Sequence, residues 1–185
     1  MTYRPASAVR WITVHYTATV VGGPPISMAT IDRWHREKGY REAGYHYLIR
    51  LDGSEETGRE VLADGRFEQG AHSRGENDES IGVCYEGGLL PSNTEKGVDT
   101  RTPAQKAQLI ARLKKLKALY PNAVIEGHRD MPGAATQCPC FDVSAWWAEV
   151  EAQAAIPPDV EPDYPVIRPH VWAVFFKSIF GGLFR

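Results

Sequence analysis

Three residues of the sequence have side chains that bind zinc, and two of them stand at the ends of predicted strands. His15 lies near the end of one apolar run, His128 follows another, and Cys138 comes ten residues later in a loop rich in Gly and Pro. Two imidazoles and one thiolate, with a fourth position left open, suit a catalytic zinc ion better than a structural one. Spacing alone does not decide this, because His15 and His128 are 113 positions apart.

The cysteines of the chain favour a metal site over a disulfide framework. There are three of them, an odd number, which fits synthesis in a reducing compartment. Cys138 and Cys140 stand close to His128, so either one could be a ligand, or the two could oxidise with each other. Cys84 lies inside an apolar run and is expected to be a core thiol.

Short and longer apolar runs predict the strands and helices that would position these residues. Short β-branched and aromatic runs predict strands at residues 11–17, 44–50, 80–85 and 124–126. Longer runs predict a helix capped by Ser27 or Thr30, a helix begun by the capping box Thr102-Pro103-Ala104-Gln105, and a helix over residues 143–153. Interleaved strands and helices indicate an α/β fold, a single domain with a central mixed β-sheet flanked by helices over residues 1–155.

Composition and charge exclude several classes of protein. Hydrophobic residues make up 43% and charged residues 24%, as in soluble globular chains, which disfavours disorder and a multi-span membrane protein. The net charge is −2, so no basic field attracts nucleic acid, and no nucleic-acid partner is expected. The N-terminal residues lack the charged start and long apolar stretch of a secretory signal, which predicts synthesis in the cytoplasm without one.

The C-terminal residues form two segments of different composition. Residues 156–170 are a proline-rich acidic linker, and residues 171–185 are expected to form a short amphipathic helix with an aromatic face. Fifteen helical residues reach about 22 Å, less than the roughly 30 Å of a bilayer core. This tail therefore cannot span a membrane, and it either contacts an anionic membrane surface or docks on the domain or on a second copy.

Seven motifs occur in an order that resembles a known family of enzymes. They are Val14-His15-Tyr16-Thr17, Ile31-Asp32-Arg33-Trp34-His35, Gly44-Tyr45-His46-Tyr47-Leu48-Ile49, Ala71-His72-Ser73 with Asn77 and Ser80-Ile81-Gly82-Val83, Thr102-Pro103-Ala104-Gln105, Gly127-His128-Arg129-Asp130, and Cys138-Pro139 with Phe141-Asp142-Val143. Together they resemble the zinc-dependent N-acetylmuramoyl-L-alanine amidases, which include phage lysozyme-amidases and animal peptidoglycan recognition proteins. The resemblance covers about residues 9 to 149.

The resemblance implies one zinc ion per chain and a set of residues that act with it. It implies that His15, His128 and Cys138 hold the zinc and that Tyr45 points at the site from the neighbouring strand. It implies cleavage of the amide between the lactyl group of N-acetylmuramic acid and L-alanine of the stem peptide. Zinc would lower the pKa of a bound water and polarise the scissile carbonyl. Tyr45 would either donate a hydrogen bond to the developing oxyanion or hold the attacking water.

The sequence departs from the family pattern at two positions. Many phage relatives have a lysine two residues before the ligand cysteine, where this chain has Thr136, as the catalytic recognition proteins do. Thr136 can donate a hydrogen bond but carries no charge. Cys140 stands where the family usually has Gly or Ser; the register of Cys138-Pro139 with Phe141-Asp142 favours Cys138 as the ligand.

Five further residues are candidates near the site. His72, Asn77, Trp34 and His46 are predicted substrate contacts, although His46 could instead face the other side of the sheet. Asp130 could accept the proton of a ligand imidazole or form a surface ion pair with Arg129.

The sequence thus predicts a peptidoglycan hydrolase of the zinc amidase family, and a phage endolysin is the expected setting. Such an enzyme would be made in the bacterial host cytoplasm, would act on the cell wall and would be a monomer. The rival hypothesis is a noncatalytic peptidoglycan-binding protein, because relatives that lose the ligand cysteine keep only the groove. The complete set of His15, His128, Cys138 and Tyr45 favours the enzyme.

Overall fold

The computed structural model describes residues 2–155. The elements follow in chain order: β1 (Tyr3–Arg4), a 3₁₀ helix (Ala6–Ala8), β2 (Trp11–Tyr16), β3 (Thr19–Val20), α1 (Met28–Glu37), β4 (Tyr47–Ile49), β5 (Glu55–Thr57), β6 (Phe67–Glu68), β7 (Ser80–Tyr85), β8 (Gly88–Leu89), α2 (Pro103–Leu119), β9 (Val124–Gly127), a second 3₁₀ helix (His128–Asp130) and α3 (Val143–Ala155). The expected fold class, a mixed sheet flanked by helices, is confirmed.

The central sheet has five strands in the spatial order β5-β4-β7-β2-β9. β4, β7, β2 and β9 are parallel to their neighbours, and only β5 runs antiparallel, at the edge. The carboxyl ends of parallel strands meet at one edge of a sheet, where ligands commonly bind in α/β proteins. His15 pairs with Cys84 near this edge.

The two faces of the sheet carry different side chains because neighbouring residues of a strand point to opposite faces. One face packs Ile12, Val14, Ile81 and Val83 into the main apolar core. Leu109, Leu113 and Leu116 of α2 and Val143, Trp147 and Val150 of α3 complete that core. The opposite face packs Leu48 and Cys84 against Met28 and Ile31 of α1, and His15 belongs to this face.

Helix caps agree with the sequence signals. Ser27, and not Thr30, caps α1, because the hydroxyl of Ser27 accepts the backbone N–H of Thr30. The capping box of Thr102 and Gln105 begins α2. The Gln105 side chain also donates to the backbone oxygens of Ile49 and Glu86, so this amide ties the start of α2 to two strand ends.

One predicted strand and the C-terminal segments differ from expectation or lie outside the structure. The strand predicted at residues 44–50 is shorter in the structure, where only Tyr47–Ile49 form β4. The predicted linker 156–170 and tail 171–185 lie outside the described residues. Within residues 2–155, the helices are all too short or too polar to cross a bilayer.

Candidate active site

The strand β2 places His15 at the ligand edge of the sheet. Ile12 and Val14 face the main core, so Thr13 and His15 face the other side of the sheet. The side chain of His15 is almost wholly buried, with 1% of its surface exposed. The neighbouring strand β7 has Gly82 on the same face, which leaves room for side chains around His15.

The two other predicted zinc ligands follow β9, the strand beside β2. His128 begins the 3₁₀ helix that comes directly after β9. The backbone N–H of Arg129 donates to the oxygen of Cys138 at 2.6 Å, which brings the loop of Cys138 against that helix. The hydroxyl of Tyr85 donates to the backbone oxygen of Pro139 at 2.7 Å and so fixes the same loop to β7.

The structure brings the three predicted ligands together. One ligand atom from each of His15, His128 and Cys138 lies within 4.8 Å of the others. His15 Nδ1 is 3.7 Å from Cys138 Sγ, close to the roughly 3.5 Å that separates two ligands of a tetrahedral zinc ion. Within residues 2–155 the cluster includes Cys138 and does not include Cys140. The residues present therefore fit zinc in number, type and separation.

Burial sets the protonation of the ligand cluster. It lowers the pKa of His15 well below the usual range, with the nearby His72 and His128 as further causes, and it also lowers the pKa of His128. Both imidazoles are then neutral at pH 7, as metal binding requires. Burial raises the pKa of the Cys138 thiol to about 12, so zinc binding must release its proton.

Tyr45 lies beside the cluster, just before β4. Its ring centroid is 5.1 Å from that of His15. Burial, followed by the neighbouring thiols of Cys84 and Cys138, raises the pKa of Tyr45 well above its usual value. The phenol thus keeps its proton at neutral pH, and the thiol of Cys84 lies within hydrogen-bonding reach of its hydroxyl.

Thr136 supports the ligand loop directly. Its hydroxyl oxygen accepts the backbone N–H of Cys138 at 3.2 Å. The side chain is exposed, and the hydroxyl retains its own proton for a bound substrate.

A groove of about 450 Å³ runs past the ligand cluster. Its walls are Tyr40, Ala71, His72, Ser73, Arg74, Asn77 and His128. A second cavity of about 430 Å³ shares Tyr40 and Ala71 with it and extends to Arg41 and Arg59. Tyr40, which is 49% exposed at the junction, belongs to no motif that the sequence singled out. Tyr40 lies just past the end of α1, and only the tertiary structure places it beside the groove.

The predicted substrate contacts occupy different environments. His72 and Asn77 line the groove, but the Oδ1 of Asn77 accepts the backbone N–H groups of His72 and Ser73 at 2.7 and 2.8 Å. Trp34 is partly buried against the apolar cluster around α1. Asp130 forms an ion pair with Arg129, with 3.6 Å between the charged atoms.

His46 occupies a position that conflicts with a substrate contact. Its side chain is fully buried, its Nδ1 accepts the backbone N–H of Gly82, and its Nε2 donates to the backbone oxygen of Glu68. Both ring nitrogens are therefore used inside the protein. Burial lowers the pKa of His46 to about 4, which keeps the ring neutral.

Cys140 has a strained backbone, with φ of +76°, in a region that favours glycine. We expect Cys140→Gly to raise the free energy of unfolding by roughly 0.5–1 kcal/mol, because it removes this strain. The variant should keep its zinc and its activity, because Cys140 lies outside the ligand cluster. Denaturant unfolding and metal analysis test both expectations; loss of the metal would instead make Cys140 a ligand.

Comparison with known proteins decides the family. The N-acetylmuramoyl-L-alanine amidase family matches residues 5–141, a span that contains the whole ligand cluster, Tyr45 and Thr136. The chain belongs to this family. The resemblance carried by the seven motifs is thereby confirmed, and the matched span runs from the first 3₁₀ helix (Ala6–Ala8) to the Cys138 loop.

Relatives of the amidase domain include phage proteins and a solved bacterial enzyme. The endolysin of Enterobacteria phage T3 is 36% identical over 149 residues, which cover 80% of this chain and 92% of the relative. The endolysin of Klebsiella phage KP32 is 38% identical over 141 residues, 76% of this chain and 86% of the relative. The structure of the endolysin amidase LysCS from Clostridium intestinale has a TM-score of 0.63 and 24% identity, covering 85% of this chain and 90% of that one. This last likeness shows the fold.

Proposed function

We propose that the chain is a zinc-dependent N-acetylmuramoyl-L-alanine amidase of peptidoglycan and that it acts as a phage endolysin. The observation that carries the proposal is the convergence of His15, His128 and Cys138 beside an open groove. Three protein ligands leave one position of a tetrahedral ion for water or substrate. Zinc held there would make hydroxide available at neutral pH and polarise the scissile carbonyl.

The protein's own groups would complete the reaction around that ion. The Tyr45 phenol would donate to the oxygen that becomes negative when the amide is attacked. Thr136, exposed at the site, would donate a second hydrogen bond while its oxygen holds the N–H of Cys138. The neutral Thr136 cannot supply the positive charge of a lysine, so zinc and Tyr45 would together carry more of the oxyanion support.

The groove would hold the substrate next to these groups. Tyr40 offers an exposed ring for stacking, and Arg74 offers an exposed cation for a stem-peptide carboxylate. Of the four contacts predicted from the sequence, His72 and Asn77 line this groove, whereas Trp34 packs on the apolar cluster around α1 and His46 is buried. Asn77 has its oxygen engaged by the loop, so only its amide N–H groups would reach substrate.

The biological setting follows from the relatives. The two phage relatives are named endolysins, and each aligns over most of its length. We therefore assign this chain to the bacterial cell wall as its place of action, after synthesis in the host. Contact of the 171–185 tail with a membrane surface and a monomeric state remain predictions from the sequence.

The test of this proposal is mass spectrometry of fragments released from purified peptidoglycan. We expect the zinc-loaded protein to release stem peptides that begin with L-alanine, and a chelated sample to release none. Zinc added back to the chelated sample should restore the release. A protein that sediments with peptidoglycan and releases nothing with zinc present would instead be a noncatalytic binding protein.

A further inference from the structure

The second ring nitrogen of His15 faces away from the ligand cluster and meets another histidine. Nδ1 of His15 lies 3.7 Å from Cys138 Sγ, on the side where the ligand atoms converge. Nε2 of His15 lies 3.1 Å from Nδ1 of His72. A neutral imidazole has one donor and one acceptor nitrogen, so this contact couples the tautomers of the two rings.

We propose that His72 is a positioning residue, which holds His15 with Nε2 protonated and with Nδ1 free to bind zinc. The inference rests on the zinc site of the proposed function. The N–H at Nε2 of His15 donates to the unprotonated Nδ1 of His72. Ligand histidines usually donate this proton to a carboxylate, a carbonyl or water, and such partners orient the ring and raise its basicity. In this protein the acceptor of that proton is the imidazole of His72.

The ring of His72 is held in place by two glycines. A Cβ added at Gly82 would lie 2.6 Å from Cγ and Cδ2 of His72, and a Cβ added at Gly70 would lie 2.6 Å from Cδ2. Any larger residue at either position would displace the ring. The backbone N–H groups of His72 and Ser73 are held by Asn77, so both the ring and its backbone are fixed.

The hydrogen bonds of the His72 ring also favour a positioning role over a substrate contact. The side chain is buried, with 9% of its surface exposed. Within residues 2–155 the one side-chain hydrogen bond of the ring is the contact with His15, and the backbone of Ser80 lies within reach of the ring as well. The side-chain partner of His72 is thus a predicted metal ligand.

The test measures zinc affinity, which does not depend on catalysis. The full-length chain is stripped of metal and titrated with zinc against a chromophoric chelator of known affinity. We expect His72→Phe, which keeps a ring but removes the acceptor, to weaken zinc binding by roughly 10- to 100-fold. His72→Asn, whose amide oxygen lies about where Nδ1 does, should recover most of this loss.

A matched control makes the same exchange at His35, whose contacts are with Gly44 and Tyr45 and not with a zinc-ligand residue. The Nδ1 of His35 accepts the backbone N–H of Gly44, and the ring packs beside Tyr45. We expect the zinc affinity of His35→Phe to stay within about threefold of wild type. Loss of the His35 imidazole alters stability and does not change the tautomer of His15. Equal losses in His72→Phe and His35→Phe would overturn the positioning role.

A second measurement uses the unaltered protein and so does not depend on how the variants fold. Long-range ¹H–¹⁵N NMR of the zinc-loaded chain should show His15 protonated at Nε2 and His72 unprotonated at Nδ1. The reverse tautomer at His72 would overturn the proposal. A wild-type protein that binds no zinc would refute the proposed function itself, whereas a His72→Phe variant that binds zinc like wild type would refute this inference alone.

Discussion

Replacing Cys138 by serine is expected to abolish the release of stem peptides from peptidoglycan, with a loss of at least about 10³-fold in rate. A serine hydroxyl stays protonated at neutral pH and is a much poorer zinc ligand than a thiolate. The side chain is buried and lies 3.7 Å from His15 Nδ1, so the vacated position has no other sulfur in the cluster. Metal analysis of the purified variant should show that most of the zinc is gone.

The matched control for this prediction is the same exchange at Cys140. Cys140→Ser alters a thiol two residues away, outside the ligand cluster. It should keep both the metal and the release of L-alanine-terminated peptides. Zinc that is retained in Cys138→Ser and lost in Cys140→Ser would show that Cys140, and not Cys138, is the zinc ligand in solution.

The clustering of His15, His128 and Cys138 could be predicted from the sequence because its signals are local or come from the family resemblance. His15 and His128 stand at the ends of apolar runs that do form β2 and β9, and these strands are neighbours. The capping box of Thr102 and Gln105 likewise predicted the start of α2. Residue type and periodicity predict these strands and the helix start, whereas the choice of His15, His128 and Cys138 as ligands came from the family resemblance.

The missed elements lack such local signals. β5 reads Glu-Glu-Thr, which is too polar and short for a strand pattern, and it forms because β4 offers an edge. The pairs β1 with β6 and β3 with β8 contain only two residues each. Their pairing depends on long-range contacts, which override local preference.

The contacts that tune the site were also beyond the sequence. His15 and His72 are 57 positions apart, and only the pairing of β2 with β7 brings them together. The environment of His46 was also beyond the sequence. Its spacing from Leu48 predicts that the two share one face, but it does not say whether that face lines a groove or packs in a core. The structure shows that His46 is fully buried there.

Tyr45→Phe is expected to lower kcat by about 10²- to 10³-fold, the usual cost of removing one oxyanion donor. The ring that packs 5.1 Å from His15 is preserved, so the fold and the zinc content should not change. A donor that acts only in the transition state lowers kcat and kcat/KM together and leaves KM unchanged. Steady-state kinetics on a soluble muramyl peptide would measure both constants, with zinc content measured on the same preparation.

Tyr47→Phe is the control, because it makes the same exchange at a tyrosine that packs in the main core, whereas Tyr45 precedes β4 and packs on the other apolar cluster. Tyr47 belongs to the main core, and the guanidinium of Arg112 lies 4.0 Å from the centre of its ring. Its loss of a hydroxyl should leave kcat unchanged, which separates the position of the phenol from a general effect on the sheet. If Tyr45→Phe instead raised KM with kcat intact, the phenol would be a substrate contact, and the oxyanion would depend on the zinc ion and Thr136.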